Sequence, residues 1–173
     1  MAYRVNKISC NAGTDTTQAL TPLLVIYRST GEAVAAAGSS NTIPTGYSFT
    51  VKAGMMDTNY SSGIEFIIKG YTLNGASGTK KVTFSFDNYT DTGVTLSNTL
   101  TANWELKISL RRMSGAKSAD IHAICTHGTT VASTGNSAVA LTNGFDADCT
   151  FAVRVSSANV NELYIRSAYA YIY

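Results

Sequence analysis

The sequence is poor in cysteine, proline and charge, and each shortage excludes a class of protein. Its 173 residues include two prolines and three cysteines, Cys10, Cys125 and Cys149. An odd number of cysteines argues against a disulfide framework, and the apolar neighbours of Cys125 and Cys149 predict buried thiols. Charged residues make up 14% of the chain and the net charge is +2. That charge is too weak and too scattered to indicate nucleic acid or an anionic membrane as a partner.

Long apolar segments and targeting signals are also missing. No apolar run approaches the roughly 20 residues that span a bilayer, so we expect no membrane insertion. The segment Met1–Ile8 has basic residues but no apolar stretch and no cleavage site. We therefore expect no secretory signal, and synthesis and folding in the cytoplasm. There is no fixed repeat and no linker-like tract, which predicts a single domain over residues 1–173.

Hydroxyl, amide and β-branched residues take the place of charge. Ser, Thr and Asn number 18, 23 and 12. Apolar and polar residues alternate with a period of two, which is typical of strands that are polar on one face. Asn74–Gly78 is a turn that we expect to close a hairpin, and Thr14–Leu20 is the best candidate for a short helical turn. The predicted strands are Tyr3–Ser9, Leu23–Arg28, Tyr47–Ala53, Ile64–Leu73, Lys80–Phe86, Trp104–Arg111, Asp120–His127, a short Ser137–Leu141, Cys149–Val155 and Asn161–Tyr173.

About ten such strands predict an all-β fold with little or no helix, in which two antiparallel sheets form a β-sandwich. Connections of roughly 8 to 15 residues are too long for a meander and suit strands that cross between sheets, as in a jelly roll. An immunoglobulin-like sandwich is the alternative. It fits less well because Trp104 precedes both Cys125 and Cys149, which breaks the Cys…Trp…Cys order.

Residues that could carry chemistry do not form a convincing site. His122, Cys125, His127 and Cys149 are of types that bind zinc, but His122 would point to the opposite strand face from Cys125 and His127. A Cys–His dyad lacks a supporting pattern, and no serine lies in a Gly-x-Ser-x-Gly turn. We therefore expect no catalytic residue, no cofactor and no metal site, and predict that the protein is not an enzyme.

Two acidic segments raise the question of calcium. Asp87–Gly93 is rich in oxygen donors but lacks the terminal glutamate of an EF-hand, and Asp146–Asp148 is a weaker version. Such clusters are usually turns whose side chains accept hydrogen bonds from nearby backbone. Whether Ca²⁺ binds at Asp87 and Asp91 stays open at this point. Paired carboxylates for glycoside cleavage are less probable still, because the acidic residues are mostly in turn-like settings.

Tyrosine is the most informative residue type. Four of the ten tyrosines fall in the last ten residues. Strict alternation would place Tyr169, Tyr171 and Tyr173 on the same face as Leu163 and Ile165, and the opposite face is also largely apolar. A strand with two apolar faces is either central in a sandwich or covered by another subunit. We predict that four tyrosines contribute to an oligomer interface: Tyr164, Tyr169, Tyr171 and Tyr173.

Three segments of the second half together resemble a known group of proteins. They are the Trp-initiated Trp104–Arg112, the strand Cys149–Val155 and the closing Asn161–Tyr171. Their order is similar to small jelly-roll domains of bacteriophage virion proteins, of the capsid-decoration, head-fibre or tail-fibre type. The resemblance implies a structural subunit that assembles as a homo-oligomer, typically a trimer, and contacts other virion proteins. It also implies a location in the virion after synthesis in the host cytoplasm.

A carbohydrate- or host-receptor-binding module is the alternative function. It would need an exposed aromatic such as Trp104 or Tyr60 to stack against a cell-surface glycan. Trp104 alternates in phase with Leu106 and Ile108, which instead predicts a core position. A small hydrolase that uses His122 and His127 is a third and weaker hypothesis.

Overall fold

The strands lie in two antiparallel sheets that pack face to face. The computed structural model describes residues 24–29, 33–34, 43–44, 46–56, 63–75, 78–113, 115 and 117–172, the first two ranges by their backbone alone. The predicted strand Tyr3–Ser9 and the predicted helical turn Thr14–Leu20 lie outside the described residues, as do Cys10, Tyr60 and Tyr173.

The described residues form twelve strands and one 3₁₀ turn, Gly144–Asp146. No α-helix occurs in these ranges, as the composition predicted. Among the same residues, none forms a helix with the length and apolarity needed to cross a bilayer. The strands are β1 (Leu24–Ser29), β2 (Ala33–Val34), β3 (Ser48–Val51), β4 (Gly63–Thr72), β5 (Lys80–Phe86), β6 (Tyr89–Thr90), β7 (Val94–Leu96), β8 (Ala102–Arg112), β9 (Ser118–His127), β10 (Thr130–Ala140), β11 (Cys149–Ser157) and β12 (Leu163–Ile172).

The strand order is that of a jelly roll. The long sheet runs β1–β12–β4–β8–β9–β10, with β2 also paired to β12. The short sheet runs β3–β11–β5–β6, with β7 also paired to β5. The first strand thus lies beside the last and the chain repeatedly crosses between sheets, which is how a jelly roll removes most of its free edges. The predicted antiparallel β-sandwich of jelly-roll type is confirmed.

The core lies between the sheets because one face of each strand is apolar. On β8, Trp104 and Leu106 are at most 2% exposed, while Lys107 on the opposite face is exposed. Phe66 on β4 and Phe151 on β11 stack across the two layers, with ring centroids 3.7 Å apart. Burial of side chains of this size stabilises a fold by about 1.5–3 kcal/mol each, so the alternating pattern fixes which face turns inward.

The predicted hairpin at Asn74–Gly78 is wrong. The strand after it, β5, has the predicted bounds and the strand before it, β4, begins and ends one residue earlier than predicted, but the two lie in different sheets. Glycine and asparagine identify a reversal of the chain, but the same local signal serves a turn within a sheet and a crossing between sheets. Here the chain crosses from one sheet to the other instead of forming a hairpin, because each strand then buries an apolar face against the opposite sheet.

The predicted short strand Ser137–Leu141 is in fact much longer. β10 extends over eleven residues, Thr130–Ala140, and forms a hairpin with β9. Gly128 opens the turn with φ +58°, a conformation that glycine adopts without steric cost. The first half of β10 was missed because Thr130–Asn136 shows no apolar alternation, since most of its side chains are exposed on both faces.

Strict alternation along the last strand is also wrong. β12 has a register shift, in which Ile165 pairs with Gly70 and Ser167 pairs with Lys69 on β4. Arg166 is the additional residue, and it makes a β-bulge that reverses the facing of everything after it. The buried positions are therefore Leu163, Ile165, Ala168 and Ala170.

Candidate interaction surface

The bulge at Arg166 brings the tyrosines of β12 onto one surface. Tyr164, Tyr169 and Tyr171 all lie on the outer face of the long sheet, each partly exposed. Tyr71 and Ile67 occupy the adjacent outer positions of β4, with Tyr71 opposite Tyr164 and Ile67 opposite Tyr169. We call this set of five residues the tyrosine face.

Aromatic contacts hold the tyrosine face rigid. The rings of Tyr71 and Tyr164 stack with centroids 4.4 Å apart and planes within 5°. The guanidinium carbon of Arg166 lies 4.2 Å from the centroid of the Tyr71 ring, within cation–π range. Tyr169 and Tyr171 stack at 6.4 Å. Because these side chains are already ordered by each other, a partner would not have to immobilise them on binding.

The charges beside the tyrosine face cancel in pairs. Lys69 Nζ lies 2.8 Å from Glu105 Oε2, and Lys107 Nζ lies 3.0 Å from Glu65 Oε2. The hydrogen bond and the negative charge of Glu105 raise the pKa of Lys69 above its ordinary value. The two acids and two bases alternate between β4 and β8 and leave no net charge there. A second subunit could therefore cover the area without burying an unpaired charge.

This surface has the composition of a protein–protein contact. Tyrosine and arginine are enriched in the energetically important parts of interfaces, and lysine and glutamate are usually depleted. Here Lys69 lies between Ile67 and Tyr71 on β4, and Glu65 lies opposite Tyr171, but each is held in an ion pair with a residue of β8. A flat sheet face with half-buried tyrosines and internally neutralised charges fits a macromolecular partner better than a small molecule.

Of the four tyrosines expected at an interface, the structure brings three together. Tyr173 lies outside the described residues. Sequence reasoning placed Tyr169 and Tyr171 beside Leu163 and Ile165, which is incorrect, since the bulge moves them to the outer face. It also missed Tyr71 and Arg166. The signal for Tyr71 was present, because it falls in phase with Glu65 and Lys69 on the polar side of a clearly alternating strand.

An open cleft of about 500 Å³ crosses the long sheet next to the tyrosine face. Its walls carry both charges and hydroxyls, and glycines expose backbone at two points. The lining residues used below are Lys69, Glu105, Thr126, Arg166 and Ser167. Such a set can donate and accept hydrogen bonds, but the described lining includes no free aromatic platform.

Trp104 is buried and does not provide an aromatic platform for a sugar. Only 2% of it is exposed, and its indole fills the space beside Gly70 in the core. This confirms the prediction that Trp104 is a core residue. The other aromatic considered for a sugar site, Tyr60, lies outside the described residues.

The histidines and cysteines do not converge. His122 is exposed, whereas Cys125 and His127 are buried on the opposite face of β9, as alternation predicted. No group of three or more potential metal ligands occurs among the residues that the structure describes. Cys149 lies on the short sheet, where its Sγ donates to the carbonyl of Gly144 at 3.0 Å.

His127 has a structural role in a buried polar network. The backbone N–H of Ser97 donates to Nδ1 at 3.3 Å, so the ring proton lies on Nε2 and points to Thr72 Oγ1 at 2.8 Å. The Thr72 hydroxyl in turn donates to the carbonyl of Leu100. Burial, and then the positive charge of Lys80, lower the pKa of His127. Both ring nitrogens are therefore committed to holding a loop, and neither is available as a general base for Cys125.

The cysteine thiols are poorly suited to nucleophilic chemistry. Burial raises the pKa of Cys125 to about 11. Burial, followed by the charges of Asp87 and Asp148, also raises the pKa of Cys149. A reactive thiol needs the opposite shift, since the thiolate is the nucleophile.

The carboxylates considered for calcium accept internal hydrogen bonds instead. Asp87 accepts from the backbone N–H and the side-chain amide of Asn143, both at 2.8 Å. Asp91 accepts from the backbone of Gly93 at 2.7 Å and from the hydroxyl of Thr134 at 2.9 Å. The two acids thus face different loops and brace the turn, as expected for an Asx-type cluster.

Comparison with known proteins adds no relative. No protein-family model matches the chain, and no curated protein is significantly similar to it. The class that the structure defines, from its strand order alone, is the all-β jelly-roll sandwich.

Proposed function

We propose that this protein is a non-enzymatic structural subunit of a bacteriophage virion, of the capsid-decoration or fibre type. In this proposal it assembles as a homotrimer through the tyrosine face and contacts other virion proteins through its remaining surface. The observation that carries the proposal is the tyrosine face on the outside of the long sheet, whose rings stack on one another and whose neighbouring lysines and glutamates form ion pairs. The jelly-roll topology and the resemblance of Trp104–Arg112 and Asn161–Tyr171 to virion jelly-roll domains support the setting.

The first test is the mass of the purified protein in solution, by light scattering. We expect three times 18.3 kDa, or a multiple of that trimer. Tyr171→Asp should break the threefold contact because it places an unpaired carboxylate in the covered area. Tyr171→Phe should retain it. The control is Thr150→Asp, which adds the same charge to an exposed position on the outer face of the short sheet.

An unchanged mass for Tyr171→Asp would sink the trimer interface, and so would a wild-type monomer. The virion assignment has its own test, which is detection of the chain by mass spectrometry in purified particles of the phage that encodes it. Its absence from the particles would contradict the virion role whatever the oligomeric state.

A carbohydrate- or receptor-binding function is the second candidate, and the cleft beside the tyrosine face is what favours it. Lys69, Glu105, Thr126 and Arg166 present donors and acceptors suited to a polar glycan. Binding to a glycan array that is lost in Thr126→Val and Arg166→Ala would support this candidate. Binding that survives both substitutions would place any glycan site elsewhere.

A further inference from the structure

The long sheet ends on one side at an edge strand, β10. Among the described strands, β10 pairs with β9 on one side and with nothing on the other. It is eleven residues long, whereas the edge strands of the short sheet, β3, β6 and β7, run from two to four residues and β1 has six. Proteins normally keep edge strands short, because a free row of N–H and C=O groups pairs readily with another chain.

β10 also lacks the residues that block such pairing. No lysine, arginine, acidic residue or proline occurs in Thr130–Ala140. Native proteins commonly place such residues on edge strands to prevent self-association. Val131 is 66% exposed, the highest value among the large apolar side chains of the described residues. Within the part of the chain that the structure describes, the edge is therefore unpaired, neutral and partly apolar, and its register with β9 shifts only after Asn136.

The strand is held in place before any partner arrives. It pairs continuously with β9 from His127↔Thr130 to Ile121↔Asn136. From the inner side, Thr134 donates to Asp91 at 2.9 Å and contacts Thr92 at 3.2 Å. A preorganised strand loses little conformational entropy when a second strand is added.

The hairpin geometry identifies which groups face outward. A two-residue turn joins His127 to Thr130, so that pair is hydrogen-bonded and the pattern alternates from there. The N–H and C=O groups of Thr130, Ala132 and Thr134 are then directed to β9. Those of Val131 and Ser133 are directed away from the sheet.

We infer that β10 is a second interface, at which two copies of this chain pair edge to edge, antiparallel, across a twofold axis near Ser133. A second copy presents the same uncharged strand, so edge-to-edge pairing of two copies brings no like charges together. A twofold contact is also closed and uses the same surface on both copies. Antiparallel pairing would join two seven-stranded sheets into one continuous sheet. This contact is separate from the proposed trimer face, and the proposal places its twofold axis perpendicular to the threefold axis, so that the two contacts together close a six-chain assembly of D3 symmetry.

Mass measurements on single and double variants separate the two interfaces. With both contacts present, the wild type should have six times the 18.3 kDa chain mass. Ser133→Lys places two ammonium groups opposite each other and should halve the wild-type mass. Tyr171→Asp should reduce it threefold. Thr95→Lys, which adds the same charge at an exposed position on β7, should change nothing.

A disulfide test does not depend on the trimer. Hydrogen-bonded antiparallel partners have Cα atoms about 5.5 Å apart, which lies within the range that a disulfide spans. In a Cys10→Ser background, Ser133→Cys should form covalent dimers on mild oxidation, and Thr95→Cys should not. Thermal melts of each variant verify that it is folded.

The outcomes are distinguishable. If Ser133→Lys keeps the wild-type mass and Ser133→Cys gives no covalent dimer, self-pairing is overturned. The same result is expected if the edge binds only another protein. If Ser133→Lys halves the mass while Tyr171→Asp has no effect, the edge interface stands and the trimer interface fails.

Discussion

Ile165 and Tyr171 lie on opposite faces of β12, although their even spacing would put them on the same face of a regular strand. Ile165 is 1% exposed in the core, whereas Tyr171 is part of the outer tyrosine face. The cause is the additional residue Arg166, at which the register between β12 and β4 shifts. A bulge of this kind lets a strand keep two apolar segments in the core with an even number of residues between them, here Arg166 and Ser167.

Deletion of Arg166 should therefore leave a folded protein. Without it, regular alternation already places Ile165 and Ala168 inside and Tyr169 outside. The expected loss is about 1 kcal/mol of unfolding free energy, from the contact with Tyr71. Unfolding in urea measures it.

The matched control is deletion of Lys107, which is also charged and exposed but lies on β8, a strand whose pairing shows no shift. That deletion moves the side chain of every residue of β8 from Ile108 onward to the opposite face of the sheet, and it should abolish folding. Equal damage from both deletions would contradict the assignment of Arg166 as the bulged residue.

Much of the fold follows from local alternation, and the exceptions have identifiable causes. β5 has the predicted bounds Lys80–Phe86, and β8 has the predicted faces, because each is one uninterrupted alternating run. The placement of β4 and β5 in different sheets could not be predicted, since turn residues at Asn74–Gly78 do not specify which sheet the next strand joins. The bulge at Arg166 was hidden because both faces of that strand contain apolar residues, so either phase satisfied the pattern.

The candidate surface was predictable in part for the same reason. Tyr164, Tyr169 and Tyr171 were identified by their concentration near the end of the sequence. Their proximity to Tyr71 could not be predicted, because it depends on the pairing of β12 with β4, which brings together residues far apart in the chain. Sequence alone gives the faces of single strands, whereas a surface is made by the register between strands.

Lys80 and Glu162 form a buried ion pair that should matter for stability. Lys80 Nζ lies 3.3 Å from Glu162 Oε2 and donates to the carbonyl of Asn98 at 2.8 Å, and its side chain is 1% exposed. Glu162→Gln leaves a buried ammonium without its counter-charge, so we expect a loss of about 3 kcal/mol in unfolding free energy. Lys80→Met combined with Glu162→Gln should recover part of that loss.

The control is the exposed pair Lys52–Asp148, whose side chains are 64% and 50% exposed. Asp148→Asn should lower the free energy of unfolding much less than Glu162→Gln does, because water screens this pair. Chemical denaturation at neutral pH compares the variants. If Glu162→Gln lowered the free energy of unfolding as little as Asp148→Asn does, the buried ion pair would not contribute to stability as proposed.

His127 should make the protein less stable in mild acid. Its pKa is lowered by burial and by Lys80, so the folded chain stays neutral at a pH where the unfolded chain, with an ordinary value near 6.5, takes up a proton. Protonation then favours the unfolded state, and stability falls as the pH drops below about 6.5. Each unit of pKa difference corresponds to about 1.4 kcal/mol.

Urea unfolding at pH 7.5 and pH 5.5 tests this. His127→Gln should flatten the difference between the two pH values, although it lowers stability at both. His122→Gln, at an exposed position of the same strand, should leave the difference intact. A pH dependence that persists in His127→Gln would have to come from another group.

Cys125 should be inert in the folded protein, and its reactivity tests the non-enzymatic assignment directly. Burial raises its pKa to about 11, so at pH 8 only about one thiol in a thousand is ionised. The adjoining cavity, about 70 Å³, is lined by Cys125 and His127 and is too small for a substrate. In a Cys10→Ser background, iodoacetamide should label Cys125 and Cys149 only after addition of urea. Thr95→Cys supplies an exposed thiol that should react within the same experiment. Rapid labelling of Cys125 in the native protein would mean that the thiol is accessible and activated, and a Cys–His hydrolase would then have to be reconsidered.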